Sequence, residues 1–198
     1  MPVRFAGPVI ASTDRALPSW WDELDTSRPV VLVTQGTIAN QNFDELVEPT
    51  IEALATEDVL VVVTTGGRPI EQLGELPDNV RAAQFLPYDQ LFPRLDLLVT
   101  NGGYGGVQYA LAHGVPIVIA GDTEDKPEVA ARVSWSGSGI NLRTGRPRAT
   151  AVRRAVPKAL ASPRYREASA VLAEQISAAR GIEELIDTVA ATAAGRVS

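Results

Sequence analysis

A cluster of glycines at a predicted strand–helix junction constrains this chain more than any other feature. Four of the six residues in Asn101–Gly106 are glycine, and they follow the apolar run Leu97–Thr100. Glycine lets the backbone turn sharply there and leaves no side chain to block a close ligand. A helix is predicted to begin near Val107, so its first free N–H groups and the positive end of its dipole would point into the same space. The sequence therefore predicts a site for an anion, and a phosphate or diphosphate fits it best.

Apolar runs alternate with helical patterns from residue 30 onward. After a short extended segment at 3–10, a strand covered on both faces is predicted at 30–34, a second buried strand at 59–64 and a third, weaker one at 80–85. Further strands are predicted at 95–100, 116–120 and 138–142. Helices are predicted at 42–55, 107–112, 127–135, 149–161, 163–179 and 182–193. This alternation predicts an α/β fold, a Rossmann-like doubly wound parallel sheet of about six strands with right-handed crossovers.

Glycine loops follow three of the predicted strands. They are Gln35-Gly36-Thr37, Gly66-Gly67 and Asn101–Gly106. Because parallel sheets bind ligands at the carboxyl ends of their strands, these loops are expected to meet at one ligand site. Two common phosphate fingerprints are absent, since Gln108 stands where the third glycine of G-x-G-x-x-G would be and no Gly-Lys-Ser/Thr occurs. NAD enzymes and P-loop NTPases are therefore disfavoured.

Composition narrows the classes of partner and of chemistry. A formal net charge of −6 and a pI of about 4.9 show no excess of basic residues, which disfavours nucleic acid and anionic membranes as partners. The absence of cysteine excludes disulfides and thiolate metal sites, and it is typical of a cytoplasmic protein. No apolar run is long enough to span a membrane, and Met1–Phe5 does not begin a signal peptide. The single histidine, His113, limits histidine-based catalysis.

Several of these residues have a purely structural alternative. The glycines of Asn101–Gly106 can serve tight packing alone, and Thr37 can be either a helix cap or a phosphate contact. Carboxylates in the charged loop Gly121–Pro127 can accept hydrogen bonds from the hydroxyls of a sugar, while Asp125 can instead be the N-cap of the next helix. His113 lies at a predicted helix end, where a histidine is more typical of a cap than of a catalytic group.

Five motifs occur in order along the chain. They are Val31–Thr37, Phe85–Tyr88, Asn101–Gly106, Gly114–Pro116 and Asp125–Pro127. With these motifs the chain resembles the C-terminal half of a family-one glycosyltransferase of the GT-B fold. The resemblance is closest to the bacterial macrolide and antibiotic glycosyltransferases, which are relatives of the UDP-glucuronosyltransferases, and it runs from about Val3 to the last helix.

The resemblance implies a site for a nucleotide diphosphate sugar. Phe85 and Leu86 would hold the nucleobase, and Gln108, in preference to Tyr109, would hold the ribose. The positions implied for the diphosphate are Gly36, Thr37, Asn101, Gly103, Tyr104, Gly105 and Gly106. Asp125 and Lys126 would hold the sugar hydroxyls. At two of these positions the chain departs from the family pattern, since Asn101 replaces a histidine and Lys126 replaces a glutamine.

The resemblance also implies an activity and a division of the chain. The expected reaction moves a sugar from a UDP- or dTDP-sugar to a hydroxyl of a natural product with inversion, without a metal or another cofactor. Family members pair this half with an N-terminal half that binds the acceptor and supplies the base, so no catalytic residue is expected here. Residues 1–29 are then an interdomain linker, 30–181 the donor-binding domain, and 182–198 a helix and tail that pack on the other half.

The chain is accordingly expected to be an expressed domain or a truncated gene product that binds nucleotide without catalysing transfer. A homodimer is a compatible assembly. A competing hypothesis is a non-catalytic nucleotide-binding or interaction module that pairs with a separate acceptor-binding chain, which an exposed apolar face would favour. A sugar-nucleotide epimerase is supported by the predicted fold alone. The sequence does not distinguish a UDP donor from a dTDP donor.

Overall fold

A parallel sheet organises the chain in a computed structural model that describes residues 6–8, 15–25 and 27–193. In that part, the strands are β1 (Val30–Thr34), β2 (Leu60–Thr64), β3 (Val80–Ala83), β4 (Leu97–Thr100), β5 (Ile117–Ile119) and β6 (Gly139–Asn141). They pair in parallel in the order β3-β2-β1-β4-β5-β6. The predicted doubly wound sheet is confirmed. Most of the predicted segment at 3–10 and the end of the predicted tail, 194–198, lie outside the described residues.

Helices connect the strands and cover both faces of the sheet. They are α1 (Val47–Leu54), α2 (Tyr88–Leu91), α3 (Tyr104–Ala112), α4 (Lys126–Trp135), α5 (Ala149–Ala161), α6 (Pro163–Ala178) and α7 (Ile182–Ala193). Short 3-10 helices occur at Trp21–Leu24, Phe43–Glu45, Ile70–Leu73 and Phe92–Arg94.

Side chains of the central strands alternate between two hydrophobic cores. Val31 and Val33 belong to the core that also contains Val152 of α5. Leu32 belongs to the opposite core, together with Phe92. Because both faces of β1 are covered, each of its residues is buried, which is why the strand reads as one continuous apolar run.

Two helix starts differ from the prediction. The helix expected over 42–55 begins only at Val47, because Leu46 departs from helical geometry with φ −147° and the side chain of Gln35 accepts a hydrogen bond from Val47 N at 3.1 Å. The helix expected near Val107 begins at Tyr104, so part of the glycine cluster is its first turn. The turn itself is made at Gly102, whose φ of +94° favours glycine.

The predicted lead-in is partly packed. Trp21 and Leu24 of its 3-10 helix are buried in the same core as Phe92, so the folded domain extends upstream of residue 30. Ala6 O accepts a hydrogen bond from Gly181 N at 2.7 Å, which places the start of the described chain against the junction between α6 and α7.

Candidate functional site

The chain changes direction across the sheet between β1 and β4. These strands are neighbours, but β1 is followed by β2 on one side and β4 by β5 on the other. In open α/β sheets, ligands bind beyond the carboxyl ends of the strands at such a point. A cavity of about 520 Å³ opens there and is lined by the ends of β1, β2 and β4 and by the starts of α3 and α4.

The structure brings nearly all of the predicted site residues to this cavity. Its lining includes Gly36, Thr37, Phe85, Leu86, Asn101, Gly103, Tyr104, Gly105, Gly106, Asp125 and Lys126. Gln108 does not line it, whereas its neighbour Tyr109 does. The sequence analysis missed other lining residues, of which Arg15, Ile38 and Tyr88 contribute the largest side chains.

A repeated triplet forms the floor of the cavity. Strands β1, β2 and β4 end in Thr34-Gln35-Gly36, Thr64-Thr65-Gly66 and Thr100-Asn101-Gly102, with Thr34 level with both of the other threonines. Each glycine has a positive φ. The threonine hydroxyl accepts from Gly36 N at 3.1 Å in the first triplet and from Gly102 N at 3.2 Å in the last. These bonds hold the backbone as it turns out of the sheet. The Thr-x-Gly repeat is a signal in the sequence that could have identified the cavity floor.

The start of α3 presents backbone N–H groups to the cavity. Gly103 is the N-cap residue, and no side chain caps the helix. The N–H groups of the first turn have no partner within their own helix. A Cβ added at Gly105 or Gly106 would meet nothing within 4 Å. Packing within the described structure therefore does not require these two glycines, in contrast to Gly66, where a Cβ would lie 2.0 Å from Gly36 O.

Asn101 lies at the junction of two loops. Its Nδ2 donates to Gln35 O at 2.7 Å and to Ala39 O at 3.2 Å, and its Oδ1 accepts from Gly103 N at 3.2 Å. Both N–H groups of the amide are thus already donated to protein carbonyls. The predicted contact between Asn101 and a diphosphate remains a prediction.

Thr37 and Asp125 each had a helix-cap alternative. Thr37 lies ten residues before α1 begins at Val47, so it caps no helix. Asp125 does occupy the N-cap position of α4, as that alternative expected, but its side chain makes no capping hydrogen bond. Its exposed carboxylate faces the cavity, where it can accept hydrogen bonds.

An aromatic platform forms one end of the cavity. Phe85 is 39% exposed, and the guanidinium carbon of Arg15 lies 4.4 Å from the centroid of its ring. Gly67, with φ +95°, lies against the same ring, since a Cβ there would approach Phe85 Cζ to 2.9 Å. Leu86 next to it is buried. This end of the cavity therefore offers a ligand the apolar ring of Phe85 and the positive charge of Arg15.

Hydroxyl groups lie deeper in the cavity. The Tyr88 hydroxyl is 3.0 Å from Thr64 Oγ1, and its ring meets that of Tyr109 edge to face with centroids 5.6 Å apart. Burial raises the pKa of the Tyr88 phenol above its usual value, so this group stays neutral and can donate a hydrogen bond.

The opposite end of the cavity is charged. Lys126 is buried at the start of α4, where its Nζ forms an ion pair with Glu124 and lies 3.4 Å from Thr123 Oγ1. Glu124 has a φ of +56°, a rare conformation outside glycine. Together with Asp125, these groups place hydrogen-bond donors and acceptors side by side.

His113 stays outside the cavity. It is the C-cap residue of α3 and stacks on Phe92 with ring centroids 6.1 Å apart. Partial burial lowers its pKa from the usual value.

Among the residues that the structure describes, no group of three or more His, Asp or Glu side chains could hold a metal ion. In the same part of the chain, no helix has the length and apolar character needed to cross a membrane.

The fold and the cavity define a Rossmann-like domain with a ligand site at the switch point of its sheet. Residues 48–191 match the family described as "Erythromycin biosynthesis protein CIII-like, C-terminal domain". The chain belongs to this family, and its resemblance to the C-terminal half of GT-B antibiotic glycosyltransferases is confirmed.

Individual relatives are similar over almost the whole chain. It is 51% identical over 189 residues to 4'-demethylrebeccamycin synthase of Lentzea aerocolonigenes, covering 94% of this chain and 44% of that protein. It is 44% identical over 179 residues to UDP-glycosyltransferase 2 of Phaeomoniella chlamydospora, covering 87% of this chain and 39% of that protein. The crystal structure of glycosyltransferase VinC in complex with dTDP superposes with a TM-score of 0.76 at 27% identity, covering 90% of this chain and 45% of VinC. The chain thus spans less than half the length of each of these three proteins.

Proposed function

We propose that this chain is the donor-binding half of a glycosyltransferase. The whole protein would transfer a sugar from a UDP- or dTDP-sugar to a hydroxyl of a small natural product, with inversion. The observation that carries the proposal is the open space beside Gly105 and Gly106, where the cavity meets the first turn of α3. The N–H groups of a first turn have no partner within their own helix and suit an anion. The similarity of the chain to 4'-demethylrebeccamycin synthase, to UDP-glycosyltransferase 2 and to the dTDP complex of VinC supports the proposal.

The lining residues suggest how the donor would lie. The nucleobase would pack at the platform of Phe85 and Leu86, and the ribose would lie toward Tyr109, which lines the cavity in place of the predicted Gln108. The diphosphate would lie over two stretches of backbone, Gly36–Thr37 and Gly103–Gly106. The sugar would extend toward Asp125 and Lys126, whose carboxylate and ammonium groups can accept from and donate to its hydroxyls.

The chemistry proposed for this half is stabilisation of the leaving group. The acceptor oxygen forms a bond to the anomeric carbon while the bond from that carbon to the diphosphate oxygen breaks, and its electron pair leaves with the diphosphate. Backbone N–H groups and the dipole of α3 would stabilise that charge. The proton of the acceptor hydroxyl would pass to a base on the acceptor-binding half. We assign no catalytic base in this chain, and the mechanism needs neither a metal nor a cofactor.

The apolar face of α7 supports the presence of a partner. Ile182, Leu185, Ile186 and Val189 recur at helical spacing and are 44–68% exposed. A contiguous exposed apolar stripe of this kind marks an interaction surface. We propose that the acceptor-binding half covers it. The same surface would serve if that half were a separate chain, which is the competing hypothesis of a non-catalytic module.

Calorimetric titration with UDP and with dTDP tests the proposed donor site. Saturable binding with one site per chain is expected for at least one nucleotide, with a dissociation constant of about 1 mM or lower. A dissociation constant of 1 mM corresponds to a binding free energy of about −4 kcal/mol. The tighter ligand would assign the donor class. Uridine, which lacks the diphosphate, is expected to bind more weakly. Equal affinity for uridine and UDP, or saturation by neither nucleotide, would contradict the proposal.

A second assay tests the division of labour between the halves. With a UDP-sugar and a simple phenolic acceptor, the isolated chain is expected to show no sugar transfer above the rate without protein. Turnover that survives repurification of the chain would show that it contains its own base.

A further inference from the structure

We propose that Asn101 and Asn40 are positioning residues that fix the 35–40 loop, which follows β1 and precedes the 3-10 helix Phe43–Glu45. This role would replace the predicted contact between the Asn101 side chain and a diphosphate, so neither amide would contact the donor itself. The fixed loop follows from the contacts of the ligand-free chain, whereas its effect on nucleotide affinity rests on the proposed function.

Asn101 holds the loop from the side of β4. Its Nδ2 donates to Gln35 O at 2.7 Å and to Ala39 O at 3.2 Å. One amide therefore fixes both ends of the segment 35–39. An amide nitrogen has two hydrogens, and both are used. Donation to a diphosphate would require Asn101 to release one of these carbonyls. The side chain is only 8% exposed.

Asn40 holds the same loop from the side of β2. Its Nδ2 donates to Thr65 O at 2.9 Å and to Gly66 O at 3.3 Å. It is 5% exposed and, unlike Ala39, does not line the cavity. Gly66 packs directly on the loop, since a Cβ there would lie 2.7 Å from Asn40 Nδ2. The loop is therefore attached to both neighbouring strand ends by buried amides.

The loop needs such attachment because it has no regular structure of its own. Gly36, Thr37 and Ile38 line the cavity but belong to no helix or strand, and Ile38 is 82% exposed. Fixing a residue of a free chain costs about 1–2 kcal/mol of conformational entropy. A loop that is already fixed does not incur this cost when a ligand binds, so its backbone dipoles are preorganised.

The test compares Asn40→Ala, Asn101→Ala and the double variant in ligand titrations. UDP affinity is expected to fall about tenfold or more in each single variant, while uridine affinity stays within about twofold of the parent. The double variant is expected to lose less than the product of the single effects, because both amides fix one loop. Asn40→Ser, which keeps one donor, replaces Asn40→Ala if the latter does not fold.

A second readout needs no ligand. Backbone order parameters from NMR relaxation are expected near 0.85 at residues 36–39 of the parent and nearer 0.6 in either variant. This arm tests the fixed loop even if the parent fails to bind UDP, so it separates failure of the inference from failure of the proposed function.

Asn79 provides the matched control. It is also a buried asparagine, but the two hydrogens of its Nδ2 are shared among Leu54 O at 2.9 Å, Val59 O at 3.1 Å and Glu57 O at 3.3 Å, near the opposite end of β2. Asn79→Ala is expected to lower the melting temperature without changing UDP affinity or the order of residues 36–39. The inference is overturned if Asn40→Ala leaves both UDP affinity and loop order unchanged, or if Asn101→Ala weakens UDP binding while the loop stays rigid.

Discussion

Individual glycines of this chain serve two different purposes. At Gly121 an added Cβ would lie 2.0 Å from Asn101 O, so the fold itself excludes a side chain there. At Gly105 an added Cβ meets nothing within 4 Å, and the residue is already in a helix. Within a helix, glycine is less stabilising than alanine by about 0.5–1 kcal/mol. The fold therefore gains no stability from having glycine at position 105. We assign that open space to the diphosphate.

Gly105→Ala therefore separates binding from folding. The melting temperature is expected to stay the same or to rise by a few degrees, because alanine favours the helix. UDP affinity is expected to fall about tenfold or more, because the methyl group occupies the space beside the N–H groups. Calorimetry and thermal denaturation on the same sample measure both quantities.

Gly121→Ala is the contrasting control. Its Cβ would overlap the backbone at Asn101, and we expect it to destabilise the fold by about 1–3 kcal/mol or more. Unchanged UDP affinity in Gly105→Ala would contradict the role assigned to the first turn of α3.

Residue identities alone revealed part of the site. The predicted phosphate-loop residues line the cavity because they follow strand ends, a position that apolar runs mark well. The contacts of Asn101 could not be predicted, because its partners Gln35 and Ala39 lie 66 and 62 residues away in the chain. Arg15 was missed for a related reason, since nothing local to it indicates that it stacks on Phe85.

Elements with a long, regular pattern were predicted best. Strand β1 and helix α5 have the predicted bounds, because continuous burial and a long amphipathic face leave clear patterns. Helix α2 was not predicted, since its four residues are too few to show a period. The start of α3 was placed too late because glycines suggest a loop, although Gly105 and Gly106 are helical here.

The end of α3 carries an acid-sensitive group. Partial burial disfavours the charged form of His113 and lowers its pKa below the ordinary value near 6.5. The unfolded chain then binds a proton at a higher pH than the folded chain does. Stability is therefore expected to fall as the pH drops from 7 through about 6.5 and toward the lower folded pKa.

His113→Asn tests this expectation, because His113 is the single histidine of the sequence. Melting temperatures between about pH 7.5 and 5.5 should fall in the parent, and the decline should be smaller in the variant. Loss of stacking on Phe92 lowers the variant's stability at every pH, so the slopes are compared rather than the absolute values. Equal slopes would contradict the assignment.

Helix α7 is expected to contribute little to the stability of the isolated chain through its apolar face. Ile186 is 60% exposed, so Ile186→Ser should change the melting temperature by no more than about 2 °C. Binding of a hydrophobic dye to the native chain should fall. A buried residue serves as the control: Val152→Ala removes methyl groups from the core and should destabilise the fold by about 1–3 kcal/mol. A comparable loss in Ile186→Ser would mean that this face packs within the chain.

At the scale of the whole molecule, two features converge on the proposed partner surface. The described start of the chain bonds to Gly181 immediately before α7, and the apolar face of α7 is exposed. The chain spans 44% of 4'-demethylrebeccamycin synthase and 45% of VinC. If an acceptor-binding half covers this surface, as we propose, donor binding by this chain is expected to be separable from sugar transfer.

The most direct test of the central claim is to map nucleotide contacts on the chain by NMR chemical-shift perturbation during titration with UDP and dTDP. Saturable shifts are expected for the backbone amides at Gly36–Thr37, Phe85–Leu86 and Gly103–Gly106, while the amides of β6 stay unaffected. Shifts confined to other parts of the surface, or no saturable shifts with either nucleotide, would contradict the assignment of this cavity to the sugar donor.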